Sequence, residues 1–293
     1  MKIRFLKMQG AGNDFILIDE FQMTLISEER KPTFVKKISD RHFGVGSDGV
    51  IFVQKSKKQD AKFHFFNPDG SIAEICGNGL RCFAKYLYES GIVKKNFMSI
   101  ETNAGTVKIK LIINKNSKNK SMVSEVRVDM GKPRLKRGEI PVSGKPDTEF
   151  INQEVRVNDK LYKITAIGMG NPHAIILCNN IDDIDVVDTG RRIRYDKGLF
   201  PNGVNVHFIE KVGDNEFKIR SYERGVEGET LACGTGICAS AVAVAIGGII
   251  NPEREIIFHA KGGDLKVELK DDRVYLTGDA NEVFRGEIYF SDT

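Results

Sequence analysis

Two short stretches decide how this chain is read: CGNGLRC at 76–82 and CGTGIC at 233–238. Both begin Cys-Gly-x-Gly, and they lie 157 residues apart. Other landmarks keep that spacing. Asn13, in GAGNDFILI, lies 63 residues before Cys76, and Asn171, in GMGNPHAIIL, lies 62 before Cys233. Asp48, in GVGSDGVIFV, and Asn205, in PNGVNVHFIE, each lie 28 residues before their cysteine. Three ordered agreements mark an internal repeat, which takes precedence over any single motif. The 293 residues are therefore a doubled unit, with halves at 1–130 and 150–280. The final strand at 283–290 is open to returning to the first half.

The texture of each half is mostly strand. KIRFLKM (2–8), FILID (15–19), VIFVQ (50–54), KFHFF (62–66) and TVKIKLII (106–113) are β-branched or aromatic and partly alternating. YKITAIGM (162–169), HAIIL (173–177), NVHFIE (205–210), EFKIRSY (216–222) and DLKVELK (264–270) repeat that texture. Three helices are expected, at 32–40, 76–90 and 233–248. The last is apolar all round and so should be buried. NKNSKNKS (114–121) reads as a solvated hairpin tip. The expected class is α/β (α+β type): two pseudo-symmetric domains, each a mixed, mostly antiparallel sheet wrapped around a central helix, with the site in the cleft between them.

Composition excludes several partners. With 44 Lys plus Arg against 40 Asp plus Glu, charge is close to balance, so no nucleic acid is expected. The longest apolar run, 237–250, is shorter than the ~20 residues of a bilayer span, so no membrane is expected. MKIRFLKMQGAG carries no apolar signal stretch. The five cysteines lack zinc-knuckle or dithiol spacing. These features read as a cytoplasmic protein with reduced thiols.

Each Cys-Gly-x-Gly closes a loop and opens a helix. Glycines after the cysteine leave backbone N–H groups uncovered, and the helix dipole favours an anion there. The same field is expected to pull a cysteine pKa from about 8.5 towards neutrality. Each half thus offers a potential thiolate beside a carboxylate-binding nest, with the resting ionisation of either thiol left open. Two such units form an acid–base pair suited to racemisation, one sulfur removing an α-proton and the other delivering one to the opposite face. Cys82, Cys178 and Cys238 read as core residues.

The whole set of motifs resembles diaminopimelate epimerase. It runs from KMQGAGNDFILID (7–19) through RHFGVGSDG (41–49), FFNPDGSIAEICGNGLRC (65–82), ETNAGTV (101–107), GNPHAI (170–175) and FPNGVNV (200–206) to SYERGVEGETLACGTG (221–236). The resemblance implies an enzyme that interconverts LL- and meso-diaminopimelate on the route to lysine and peptidoglycan, as a homodimer and with no cofactor, neither PLP nor metal. It implies that Cys76 and Cys233 are the catalytic thiols. It implies that Asn13, Asn67, Asn78, Asn171, Asn205, Glu223 and Arg224 bind substrate, and that the amides of Gly77-Asn78 and Gly234-Thr235 hold the reacting carboxylate. His173 and Glu223 match side chains beside the thiols. Asn, Arg and Glu suit the two amino-acid ends of diaminopimelate. Two positions depart from the pattern: Gly49 stands where some members carry a Gln that reaches towards substrate, and Glu227 lengthens RGVEGET by one residue.

Three other readings stay open at this level. A proline-racemase-like enzyme also pairs two cysteines, but GAGNDF and Glu223-Arg224 would then have no distal amino-acid end to grip. A thiol redox protein would need Cys76 and Cys233 to pair without a Cys-x-x-Cys. A non-catalytic binding module could use the Gly-rich loops, yet GAGND and GVGSDG lack a P-loop lysine.

Overall fold

The same order of elements occurs twice along the chain. In the computed structural model, which describes residues 2–73, 75–115 and 121–290, strand Asn13–Glu20 runs parallel to Gly49–Gln54, which pairs antiparallel with Ala61–Phe66. A helix follows at Gly77–Glu89, and then Phe97–Thr102 and Gly105–Lys115 form an antiparallel pair. In the second half Pro172–Leu177 runs parallel to Asn205–Lys211, which pairs antiparallel with Glu216–Glu223. A helix follows at Gly234–Ile246, and then Ile256–Ala260 and Gly263–Lys270 form an antiparallel pair. Parallel neighbours need a crossover, usually a helix. Lys31–Ser39 fills that place in the first half and Val186–Arg194 in the second.

The chain divides into two compact units, one holding residues up to Val128 and from Thr277 on, the other Asp129–Leu276. In the first, strand Asn281–Tyr289 pairs antiparallel with Lys2–Gly10. Its central helix buries Leu80, Phe83, Ala84 and Leu87, all 0% exposed and at the spacing of one helical face. Burying each large apolar side chain is worth about 1.5–3 kcal/mol. That helix lies against strands Lys2–Gly10, Asn13–Glu20, Gly49–Gln54 and Gly105–Lys115. The helix of the second unit lies against Lys160–Gly168, Pro172–Leu177, Asn205–Lys211 and Gly263–Lys270, which are the corresponding strands. Within each unit, a mixed sheet thus wraps one helix.

The two helices are built alike. Each has 13 residues and begins just after its cysteine. Each is followed by a glycine in the left-handed region, Gly91 (φ 78°) and Gly248 (φ 65°), as helix ends prefer. The Cys233 helix is apolar because its residues 236–242 and Val244 are buried. Residues 116–120 of the expected hairpin tip lie outside the described residues.

Two features differ from the sequence reading. Val186–Arg194 is a fourth α-helix, its start fixed by the Asp185 side chain, which accepts from the Asp188 N–H. Gly190 hid it in the pattern. A Cβ there would sit 2.6 Å from Tyr222 Cβ, so glycine lets this helix close on the sheet. Further strands, Phe97–Thr102 and Ile256–Ala260 among them, are short runs that alternation did not single out.

Candidate active site

Both cysteines occupy the N-cap position of their helices, in extended backbone: Cys76 at φ −141°, ψ 114° and Cys233 at φ −113°, ψ 103°. This geometry turns the side chain back over the first helical turn. The Cys76 sulfur accepts from the Gly79 N–H at 3.5 Å. The N–H groups of Gly77-Asn78 and Gly234-Thr235 lie in that first turn, where no intrahelical acceptor exists.

The surroundings of the two sulfurs differ. Cys76 is half-buried, whereas Cys233 is 5% exposed. Burial pushes the Cys233 thiol well above its ordinary range, and the Glu223 carboxylate, hydrogen-bonded to it, pushes the same way. The Gly236 backbone and the Thr235 hydroxyl, 3.7 Å from the sulfur, pull against this and lose. The lowering expected at this helix start is therefore overturned: desolvation outweighs the helix field, and the Cys233 thiol is pushed up instead. Cys82 and Cys178 are likewise pushed up by burial, to about 12 and about 11. Cys82 and Cys238 are fully buried in the helices, and the Cys178 thiol donates to the Ile209 carbonyl at 3.2 Å.

Around Cys233 the chain gathers several of the residues singled out above. Glu223 ends strand Glu216–Glu223, and its Oε1 also accepts from the Thr230 hydroxyl at 2.5 Å. Ring nitrogens of His173 and His207 and the Cys233 sulfur all lie within 4.8 Å of one another. Asn171 Oδ1 accepts from His173 Nε2 at 2.7 Å. Asn205, 2% exposed, donates to the Pro172 carbonyl and accepts from the Arg224 N–H. Arg224 is exposed and donates to the Asn202 carbonyl. The extra residue, Glu227, lies in the turn between paired Glu223 and Gly228, at φ 56°. Arg194, the Gly225 N–H and the Tyr222 hydroxyl hold its carboxylate, so the added length stays in the turn.

Near Cys76 the structure joins Asn13 and Asn78. Asn78 donates to Asn13 Oδ1 at 2.5 Å and accepts from buried Arg81 at 2.8 Å, while Asn13 donates to Asp48. Asn67 is a turn residue that donates to the Ser71 hydroxyl. At Gly49 a Cβ would fall 2.3 Å from the Phe65 ring, so no side chain fits there.

Sequence reasoning missed His207 and Ser221. His207 Nδ1 lies 2.8 Å from the Ser221 hydroxyl and its Nε2 lies 2.8 Å from His173 Nδ1, all three residues being buried. An amide oxygen only accepts, so His173 Nε2 carries its proton and the hydrogen bonds run one way, from Ser221 through His207 and His173 to Asn171. Burial holds both imidazoles neutral, His207 down to about 3 and His173 well below its ordinary value. The register shows what this replaces. His173 pairs with Asn205 as Phe15 pairs with Gly49, and His207 with Ser221 as Ile51 with Phe65. The repeat was the available signal, because within one residue of the cysteine offset it matches two of the five histidines to the apolar core residues Phe15 and Ile51.

Comparison with known proteins accords with this geometry. A family model described as diaminopimelate epimerase matches residues 5–136 and 165–283. The diaminopimelate epimerase of Archaeoglobus fulgidus is 43% identical over 292 residues, which is 100% of this chain and 98% of that protein. The diaminopimelate epimerase of Heliobacterium modesticaldum is 42% identical over 98% of this chain and 99% of its own length. Among solved structures, a PhzF-family phenazine biosynthesis protein of Bacillus anthracis superposes with a TM-score of 0.71 at 19% identity, covering 99% of this chain and 100% of its own. A probable proline racemase from Agrobacterium radiobacter K84 gives 0.71 at 15% identity, covering 99% and 93%, and at such identity shares the fold alone. No helix among the described residues is long and apolar enough to cross a membrane. With the family model spanning most of the sequence and the named relatives matched over nearly their whole length, the chain belongs to the diaminopimelate epimerase family of amino-acid isomerases.

Proposed function

We propose that this enzyme interconverts LL- and meso-diaminopimelate without a cofactor, using Cys76 and Cys233 as a pair of acid–base catalysts. The carrying observation is that both cysteines cap equivalent helices, in a chain 43% identical to a diaminopimelate epimerase over its whole length. In the working cycle one sulfur, as thiolate, takes the α-proton and becomes a thiol. The electron pair left on the α-carbon delocalises into the substrate carboxylate, held by the first-turn amides of Gly77-Asn78 and Gly234-Thr235. The other thiol then gives its proton to the opposite face and becomes the thiolate. The raised Cys233 pKa supports Cys233 as the proton donor of the resting enzyme. Asn13, Asn67, Asn78, Asn171, Asn205, Glu223 and Arg224 are assigned to substrate, with Arg224 suited to a carboxylate and Glu223 to an ammonium. The product feeds lysine and peptidoglycan synthesis, and the family resemblance carries the expectation of a homodimer in the cytoplasm.

Turnover in deuterated water tests this directly. Solvent deuterium should enter the α-carbon of diaminopimelate with no added cofactor, and L-proline should not react. Cys76→Ala and Cys233→Ala should each lower interconversion by at least about 10²–10⁴-fold, the scale of a lost acid or base. A Cys233→Ala enzyme that epimerises at a comparable rate rules out the two-thiol mechanism.

A further inference from the structure

The buried cluster at the second thiol has a composition that proton transfer alone does not require. We propose that Cys233, His173 and His207 form a binding site for a thiophilic divalent cation such as Zn²⁺, which arrests the enzyme by capturing its thiol.

Two observations carry this. The ligand atoms of the three side chains lie within 4.8 Å of one another. A tetrahedral zinc site with one sulfur and two nitrogens sets its ligand atoms about 3.3–3.6 Å apart, given bonds of about 2.0–2.3 Å. The 2.8 Å separation of the two ring nitrogens therefore opens by only about half an ångström. Second, each imidazole already has the outer partner that metal-bound histidines keep: Asn171 Oδ1 on His173 Nε2 and the Ser221 hydroxyl on His207 Nδ1.

The internal repeat supplies a control. Where the second unit has His173, His207 and Ser221, the first has Phe15, Ile51 and Phe65, so Cys76 has no imidazole at the equivalent positions. Among the described residues, Cys233 is the one of the two thiols that lies beside imidazoles placed to bind the ion.

Binding is balanced in charge and protons. The Cys233 thiol releases its proton to solvent as the sulfur–metal bond forms. The ring proton of His207 moves from Nε2 to Nδ1, and the Ser221 hydroxyl turns from donor to acceptor. Both His173 and His207 are 0% exposed while Cys233 retains 5%, so Cys233 is the residue of the three nearest solvent.

Co²⁺ added to the reduced, metal-free full chain is the test, since a tetrahedral thiolate site gives a sulfur-to-cobalt charge-transfer band and intense visible bands. One equivalent should bind in the wild-type chain and in Cys76→Ala, and none in Cys233→Ala. His207→Ile, which copies the first unit, should weaken binding at least about 10-fold, and Ser221→Ala by about 10–100-fold. Zn²⁺ should displace Co²⁺ and stop turnover at the same stoichiometry, reversibly with chelator; this last outcome rests on Cys233 being catalytic. Absence of the band in the wild-type chain, its survival in Cys233→Ala, or unchanged affinity in His207→Ile overturns the proposal. The cobalt spectrum needs no turnover, so a metal-free protein that fails to epimerise diaminopimelate overturns the function above and leaves the metal site to be judged by the band.

Discussion

The Glu223 carboxylate is hydrogen-bonded to the Cys233 thiol and, together with burial, keeps that sulfur protonated. A negative charge beside a thiol disfavours thiolate, so removing it must lower the Cys233 pKa. Glu223→Gln in a Cys76→Ala background should therefore shift the pH profile of Cys233 alkylation to lower pH, with faster reaction at a given pH. Burial remains, so the sulfur should stay above the ordinary cysteine range. Mass-spectrometric alkylation rates across pH check this. A profile that does not move would show that the carboxylate does not set the protonation of this thiol.

Glycine matters unequally in the two helix starts. A Cβ on Gly236 would lie 2.1 Å from His207 Cε1, whereas one on Gly79 would lie 3.2 Å from the tip of Phe63. Gly236→Ala must displace a buried imidazole and should cost about 1–3 kcal/mol. Gly79→Ala needs only a small ring shift, against a helix-propensity gain of about 0.5–1 kcal/mol, and should change stability by less than about 1 kcal/mol. Urea unfolding of the two variants distinguishes them, and equal losses would contradict the contrast drawn from the packing.

Protonation of the second unit's histidines gives a pH dependence with a definite sign. His207 is held down to about 3 and His173 well below its ordinary value, both by burial. The unfolded chain binds protons below about 6.5 that the folded chain refuses, so stability is complete above that pH and falls as pH drops from 6.5 towards 3. Each such histidine contributes a slope of about 1.4 kcal/mol per pH unit in that window. His207→Ile should lower stability at neutral pH, by orphaning the Ser221 hydroxyl, yet flatten the acid slope. Denaturant unfolding at several pH values between 5 and 8 checks this, and an unchanged slope would show that His207 titrates normally.

The repeat was legible because chemistry and backbone constraint coincide at its landmarks. Cys76 and Cys233 need glycines behind them at the helix start, and Gly91 and Gly248 end both helices in the left-handed region. Val186–Arg194 escaped notice because its local pattern is poor, with Gly190 at mid-helix, although the offset that pairs the cysteines carries Lys31–Ser39 to within two residues of it. Glu223 could be placed at the thiol because strand register ends there and Glu227 adds length only in the following turn. The rest of the Cys233 environment was hidden for a different reason. His207 alternates within NVHFIE like any inward-facing strand residue, and only tertiary pairing reveals that its neighbours are His173 and Ser221. The thiol's protonation was misread since the helix field is visible in sequence and desolvation is not.

Asn78 serves both the first-unit scaffold and the assigned substrate contacts, and two substitutions separate these roles. Its side-chain oxygen accepts from the fully buried Arg81 guanidinium at 2.8 Å, and its amide donates to Asn13 Oδ1 at 2.5 Å. Arg81 is held from its other side by the Asp279 carbonyl, at 3.0 Å. Asn78→Ala takes an acceptor from a buried cation and should cost about 1–3 kcal/mol. Asn78→Asp keeps an acceptor for Arg81 but loses the donor that orients Asn13. It should recover most of the stability and still show a raised KM for diaminopimelate, because Asn13 is then free to turn. Unfolding midpoints and initial-rate kinetics on both variants read the two effects independently. If Asn78→Asp kept the wild-type KM, the hydrogen bond to Asn13 would be structural, with no part in presenting Asn13 to substrate.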